Sequence, residues 1–406
     1  PAQADALIRS IQPLPFRAIG TPPWLHQHLT LEKLNIEAHR HATHQQHDEF
    51  VADGFFHHNK VSMRSPHPIR GYTEAINSFK SADELQLDEV VAIRCSGNNE
   101  LIMGNEIFFP DSFVLQKTKF DEDCGLAFIS DIHVGSKKFL RPEFENFIQW
   151  LGSDDELAKK IRYLFVVGDS VDGVGVFPGQ ERLLEIKTLK GQYDSFAECL
   201  KKVPERITVF MCPGQHDASR VLEPQPVLDR TYAESLYGIQ NIILVPNPCL
   251  VKLHEKGKEF RIQMYHGASI HAFINNIEEL RLIKAHRSPA KAVKHMLKRR
   301  HLAPSHGISS SVVYVPNPEK DPLVISEVPD IVCTGEVHRL DIERYNGTLI
   351  MTGSCWQART EFEEKVGNIP DPCKVPVFNV KTHELRILDF SISEERNLGR
   401  VEGTTK

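Results

Sequence analysis

Five apolar runs set the terms for any fold this chain can adopt: GLAFIS, YLFVVG, ITVFMC, FRIQMY and PDIVCTG. Each is short and rich in β-branched and aromatic residues, and all but FRIQMY lack the polar alternation of a half-exposed strand. Such runs read as strands buried on both faces. Stretches of helical texture lie between some of them, PEFENFIQWL and part of SRVLEPQPVLDRTYAESL. Strands alternating with helices give a mainly parallel, covered sheet. Further on, YNGTLIMTGSCWQ and VPVFNVKTHELRILDFSI read as hairpins, the first turning at Asn346-Gly347, a strong type I′ signal. Residues 116–406 are therefore expected to form an α/β sandwich with added antiparallel strands.

The chain before residue 116 has another texture. Residues 1–50 hold QPLPF, TPPWL and the His-rich run HRHATHQQHDEF, which reads either as a polar, partly helical segment or as a loose metal site. Residues 51–115 read as short strands. LDEVVAIRCSG and NELIMGNEIFFPD flank the turn GNN as a hairpin, in keeping with a small barrel. Eight cysteines are scattered without a CxxC pair, so no disulfide frame or zinc finger is expected, and Cys124, Cys212 and Cys333 read as small buried thiols. No apolar run approaches bilayer length, and the start PAQADALIRSIQPLP has neither an h-region nor an initiator Met. The expectation is a cytoplasmic chain, processed or truncated at its start, with no membrane partner.

Each of the five runs ends in side chains that ligate metals. Asp131 and His133 follow the first, Asp169 the second, Gln215, His216 and Asp217 the third, His266 the fourth, and Glu336 and His338 the fifth. One such residue is an ordinary turn or a packed histidine. Five in succession at strand ends can converge, because sites of α/β sheets form at the carboxyl ends of strands. Carboxylates and imidazoles together suit two divalent cations, Mn, Fe or Zn, with Mg as a harder alternative. Asp169 is the candidate bridge. His216 is the candidate general acid, with Asp217 as its orienting carboxylate.

Taken together these motifs resemble the calcineurin-like metallophosphoesterase pattern of D-x-H, GD, GN-H-D/E, H and GH-x-H. The longer stretches FISDIHVGSKKFL, VVGDSVDGVGVFPGQ, PGQHDASR, YHGASI, LKRRHLAPSHG and GSCWQARTEF resemble the small subunit of archaeal family-D DNA polymerase. That resemblance runs over roughly residues 75–380. It implies a calcineurin-like sandwich preceded by an OB-like β domain, and a 3′–5′ proofreading exonuclease with two metals. Asp131, His133, Asp169 and His338 would hold metal one. Asp169, Gln215, His266 and Glu336 would hold metal two. The implied partners are the large catalytic subunit, a DNA primer 3′ end and, through the holoenzyme, the sliding clamp.

Two positions depart from the pattern, which has Asn where Gln215 stands and His where Glu336 stands. Both fall on the metal-two side. Gln offers the same carbonyl on a longer stem, and Glu ligates through oxygen. A third carboxylate favours harder ions such as Mn²⁺ or Mg²⁺. The rival expectation is a weakly active or non-catalytic scaffold subunit. A third is a free-standing phosphoesterase acting on small substrates.

With a net charge of −6, any nucleic-acid surface must be a local patch. The stretch AHRSPAKAVKHMLKRRHLAPSHG reads as an amphipathic helix, apolar through Val293, Met296 and Leu297. Its basic side, ending in Lys298, Arg299 and Arg300, is either solvated or in contact with phosphate. Lys137 and Lys138 are placed to neutralise substrate phosphate. The glycine-rich DGVGVFPGQ, with Phe177, is either a lip for the DNA end or an ordinary turn. The 51–115 segment is a weaker candidate for single strands than for contact with the large subunit.

Overall fold

Two mixed sheets packed face to face carry the C-terminal part of the chain. The structure is a computed structural model that describes residues 54–57, 60–63, 84–86, 89–97, 102–304 and 321–392. The first sheet has six strands: β1 (Gly125–Ile129), β2 (Ile161–Val167), β3 (Thr208–Cys212), β4 (Ile242–Leu244), and the later β10 (Lys374–Asn379) and β11 (Leu385–Asp389). Their order is β11-β10-β1-β2-β3-β4. β1 to β4 are parallel, and the β10–β11 hairpin adds antiparallel edge strands.

The second sheet has five strands: β5 (Cys249–Glu255), β6 (Lys258–Met264), β7 (Ile331–Thr334), β8 (Asp341–Tyr345) and β9 (Thr348–Thr352), in the order β8-β9-β7-β6-β5. FRIQMY and PDIVCTG thus enter a separate sheet from the first three runs. They are still parallel neighbours, with Ile262 opposite Ile331. The expected turn at Asn346-Gly347 is present: both residues have positive φ, 47° and 94°, and Tyr345 pairs with Thr348.

The double burial of the strands follows from their packing. On β2, Leu164 and Val166 face helices α1 (Arg141–Leu151) and α2 (Leu189–Leu200), against Phe144, Phe147, Tyr193 and Phe196. The alternate residues Phe165 and Val167, beside Phe210 of β3, face the second sheet, where they meet Ile262, Met264 and Ile331. The outer face of the second sheet, with Val332 and Ile350, is covered by α3 (Ile270–Asn276) and α4 (Ala290–Arg299) through Phe273, Val293, Met296 and Leu297. The order is helix, sheet, sheet, helix, and every sheet face has an apolar cover. All eight cysteines are buried free thiols.

Of the segment 51–115, the described residues form two separate antiparallel hairpins. Gly54–His57 pairs with Lys60–Met63, and Ala92–Gly97 pairs with Ile102–Phe108, while the expected turn GNN lies mostly outside the described residues. Among the described residues these do not close a barrel. The His-rich segment 1–50 and most of the rest of the expected barrel lie outside the described residues. No helix among the described residues is long and apolar enough to cross a membrane.

Candidate metal centre

The carboxyl ends of β1, β2, β3, β6 and β7 open onto one point, and the loops that leave them carry all seven candidate ligands. The backbone there is unusual. Asp131, His133, Asp169, Glu336 and His338 all have left-handed φ, between 48° and 72°. Each such non-glycine residue costs about 1–3 kcal/mol, a strain that persists only where the surroundings enforce it. The glycines of these loops allow the crowding. A Cβ at Gly214 would lie 2.2 Å from Asp169 Oδ1, and one at Gly335 would lie 2.6 Å from Asp131 Oδ2.

Three of the four imidazoles share one arrangement. His266 Nδ1 is 2.9 Å from the Val167 carbonyl, His338 Nδ1 is 3.0 Å from Glu363 Oε1, and His216 Nδ1 is 2.7 Å from the Asp172 carbonyl. His133 Nδ1 lies 3.2 Å from Asp172 Oδ1, off the direction of a hydrogen bond. A carbonyl only accepts, so a proton sits on Nδ1 of His266 and His216. For the two histidines flanking metal two and the acid position, Nε2 is then the nitrogen turned to chemistry.

The Nε2 atoms converge with the carboxylates. His133 Nε2 and His338 Nε2 are 3.1 Å apart, and His338 Nε2 is 3.5 Å from Asp131 Oδ1. His266 Nε2 lies 3.3 Å from Asp169 Oδ2, 3.4 Å from Glu336 Oε2 and 4.0 Å from Asp131 Oδ1. Asp131, His133 and His338 form one group able to hold a metal ion, and Asp131, Asp169 and His266 form another. Asp131 therefore stands in both groups.

The donor set fits cations. Asp131 Oδ2, Gln215 Oε1 and His266 Nε2 are buried with no hydrogen-bond partner. Leaving three such atoms unmatched costs about 1–3 kcal/mol apiece unless something else satisfies them. Buried, unmatched lone pairs of carboxylate, carboxamide and imidazole are what a divalent ion binds.

Electrostatics follow from this crowding. Burial opposes ionisation of Asp169, but the His266, His216 and His133 rings outweigh it and hold the carboxyl well below its usual range. Burial likewise opposes ionisation of Glu336, yet its contact with His266 and the charge of His271 bring it down to about 2. Burial disfavours charged His216. Asp169 and the hydrogen bond to Asp172 reverse that, so the ring gains protons more readily than a free imidazole.

Four expectations need correction. Asp217 does not orient His216. Its carboxylate accepts from Gly214 N (2.9 Å), Ser170 N (3.2 Å), Tyr193 OH (2.9 Å) and the Ser170 hydroxyl. It ties the β2 and β3 loops to α2, and the group that holds His216 is the Asp172 carbonyl. Lys298, Arg299 and Arg300 do not form a phosphate-binding face. Lys298 pairs with Glu84 at 2.7 Å and lies over the Phe109 ring. Arg299 is buried in an ion pair with Glu89 at 2.5 Å. Arg300 donates to the carbonyls of Ile325 and Ser326. Their charges tie the 84–89 segment and the 325–326 loop to α4. The stretch was long enough to supply a basic helix, but α4 ends at Arg299 and turns these side chains inward.

Lys137 and Lys138 are exposed, and Phe177 is exposed beside Val174 and Val176. The Lys137 amide donates to the Leu183 carbonyl at 2.9 Å, which ties the basic pair to the turn that follows the apolar loop.

Sequence reasoning missed three residues. Asp172 places its carboxylate near His133 and its carbonyl on His216, and is itself held by Gln180 Nε2 (3.2 Å) and Gln357 Nε2 (3.1 Å). Its signal was its place three residues after Asp169. Glu363 orients His338 and also completes a capping box with Thr360 on the helix Glu361–Val366, legible as T-x-x-E. His271 Nε2 lies 3.5 Å from Glu336 Oε1, and nothing in the sequence singled it out.

Comparison with known proteins gives a family and relatives. Residues 126–340 match the family of the DNA polymerase alpha/epsilon B-subunit. Over 342 residues the chain is 37% identical to the DNA polymerase II small subunit of Pyrococcus furiosus, covering 82% of this chain and 53% of that protein. Over 309 residues it is 38% identical to the DNA polymerase II small subunit of Thermoplasma acidophilum, covering 75% of this chain and 60% of that protein. The chain thus spans about half to three-fifths of the length of these relatives. The solved structure of a novel archaeal phosphodiesterase is 13% identical, with a TM-score of 0.31 over 65% of this chain and 98% of that one. That distance is too great to carry an argument.

Proposed function

The chain belongs to the B-subunit family of DNA polymerases alpha and epsilon, with archaeal DNA polymerase II small subunits as relatives, and on that premise we propose that it is the small subunit of such a polymerase and a metal-dependent 3′–5′ proofreading exonuclease. The observation that carries the reading is the convergence of Nε2 atoms and carboxylates around buried, unmatched polar atoms. Asp131, His133, Asp169 and His338 would hold one divalent ion. Asp169, Gln215, His266 and Glu336 would hold the other, and three carboxylates make Mn²⁺ the best match. Two bound ions would supply Lewis-acid polarisation of the phosphodiester and a nucleophile at neutral pH.

The protein's own groups supply the rest. His216 carries its proton on Nδ1 against the Asp172 carbonyl, so the proton it can give to the leaving 3′ oxygen is on Nε2. Asp169 favours the charged ring that this donation needs. Lys137 and Lys138 would meet the backbone phosphates of the primer end, and Phe177 would meet its terminal base. The partners of this reading are the large catalytic subunit, the primer 3′ end and, through the holoenzyme, the sliding clamp, in the cytoplasm. Contact with the large subunit is assigned to the 51–115 segment.

The test is hydrolysis of a mismatched 3′ primer end with Mn²⁺. His216→Ala should slow it about 10²–10⁴-fold. An unchanged rate would remove His216 from the mechanism. One observation favours the rival scaffold reading. Gln215 Nε2 donates to Glu336 Oε2 at 2.7 Å, so the two departing residues satisfy each other where an ion would bind. Gln215 Oε1 remains unmatched, which favours binding. The double substitution Gln215→Asn with Glu336→His, assayed across several metals, separates the two. A large gain of activity would mean that the native pair limits the site. Fewer than two ions bound to the native chain and no nuclease at any metal would establish the scaffold.

A further inference from the structure

Glu336 stands where the phosphoesterase pattern has an imidazole, and an imidazole is still at hand. Its Oε2 faces Gln215 and His266, at 2.7 and 3.4 Å. Its Oε1 lies 3.5 Å from Nε2 of His271, in the first turn of α3 and five residues beyond His266. The helix is fixed by Ile270, Phe273 and Ile274, all buried in the outer apolar layer, so the position of His271 is set by the core. From another side the His286 ring packs on it, with centroids 5.4 Å apart. The His271 side chain is 42% exposed, against 17% for Glu336, so it stands outside the carboxylate rather than among the ligands.

We propose that His271 is a positioning residue for the metal-two side: it restores, one step further out, the imidazole absent at 336. It holds Oε1 of Glu336 and so directs Oε2 to a cation shared with Gln215 Oε1 and His266 Nε2. It also sets an imidazole against the third carboxylate of a site already anionic through Asp131 and Asp169. Partners of this kind fix ligand orientation and are worth about 10–100-fold in metal affinity. The proposal rests on the two-metal reading above and deepens it.

The experiment is Mn²⁺ titration of the full chain, with free Mn²⁺ followed by electron paramagnetic resonance. The variants are His271→Ala and His271→Gln, each also melted in EDTA. The native chain should bind two ions. His271→Ala should keep the tighter affinity, lose about 10–100-fold at the weaker site, and melt in EDTA like the native chain. His271→Gln, which keeps a donor, should recover part of the loss. Two native affinities in His271→Ala would overturn the role of His271 alone. Equal weakening of both ions together with a lowered melting point in EDTA would assign it a structural role and also overturn the proposal. No ion bound to the native chain would overturn the proposal and the two-metal reading together.

Discussion

Asp217→Ala should unfold the protein more readily without changing the titration of its acid. The substitution strands two backbone amides, Gly214 N and Ser170 N, and two hydroxyls, those of Ser170 and Tyr193, all buried. The hydroxyls can turn to other acceptors, but the amides cannot. Each stranded amide costs about 1–3 kcal/mol, so the pair costs about 2–6. Relief of the buried carboxylate, which burial and Asp169 both oppose, offsets part of this. A net loss of about 3 kcal/mol corresponds to a fall of roughly 3–5 °C in melting temperature for a chain of this size. Asp217→Asn should recover much of the loss, because its carbonyl can take the place of Oδ2 on both amides while its NH₂ faces the two hydroxyls, which can accept. Differential scanning calorimetry measures the loss, and the pH dependence of the proposed exonuclease measures the acid. Under this reasoning the limb of the profile that reports His216 stays in place. A variant that melts like the native chain but shifts that limb would refute it and restore Asp217 as the partner of His216.

Other expectations follow from the same contacts. Asp172→Asn keeps the carbonyl on His216 but loses the carboxylate beside His133, so Mn²⁺ affinity should fall about 10–100-fold and the acid limb should move to lower pH, because the Asp172 charge helps hold His216 protonated; native affinity would contradict the assignment. Arg299→Ala leaves Glu89 buried and unpaired, so stability should drop by about 3–5 kcal/mol in denaturant melts. The salt dependence of primer binding should not change with it, and a reduced slope would return Arg299 to the DNA surface. Lys137→Ala with Lys138→Ala should lower that slope by about 1.4 in single-strand binding, and an unaltered slope would rule both lysines out. Burial raises Glu223 to about 7, against an ordinary carboxyl value of 4.5. Its favourable contribution is complete below pH 4.5 and is lost as pH rises through about 7. Glu223→Gln should therefore gain up to about 3 kcal/mol over the native chain at pH 8 and nothing at pH 4.5; equal effects at the two pH values would mean that Glu223 does not titrate this way.

What could be read in the sequence was what is local or periodic. Strands buried on both faces need continuous apolar runs, so β1, β2, β3, β6 and β7 announced themselves. Asn346-Gly347 announced its hairpin because few residue pairs adopt two positive φ values. The ligands were legible because they stand directly after those strands, where chain direction alone sends them to one edge. The role of a polar side chain was not legible, because it depends on which groups at distant positions remain to be satisfied. Asp217 and Asp172 lie near one another in the loops, yet one serves backbone and hydroxyl donors while the other holds two histidines. Arg299 reads as a surface cation until Glu89, 210 residues away, neutralises it in the interior. His271 gains meaning only from Glu336, which β7 delivers from another part of the chain. The sequence by itself determined that this chain builds an α/β sandwich with ligands along one edge. Only tertiary packing decided which charges meet that edge and which are used up inside, because burial makes every polar atom find a partner and sequence separation does not limit which one.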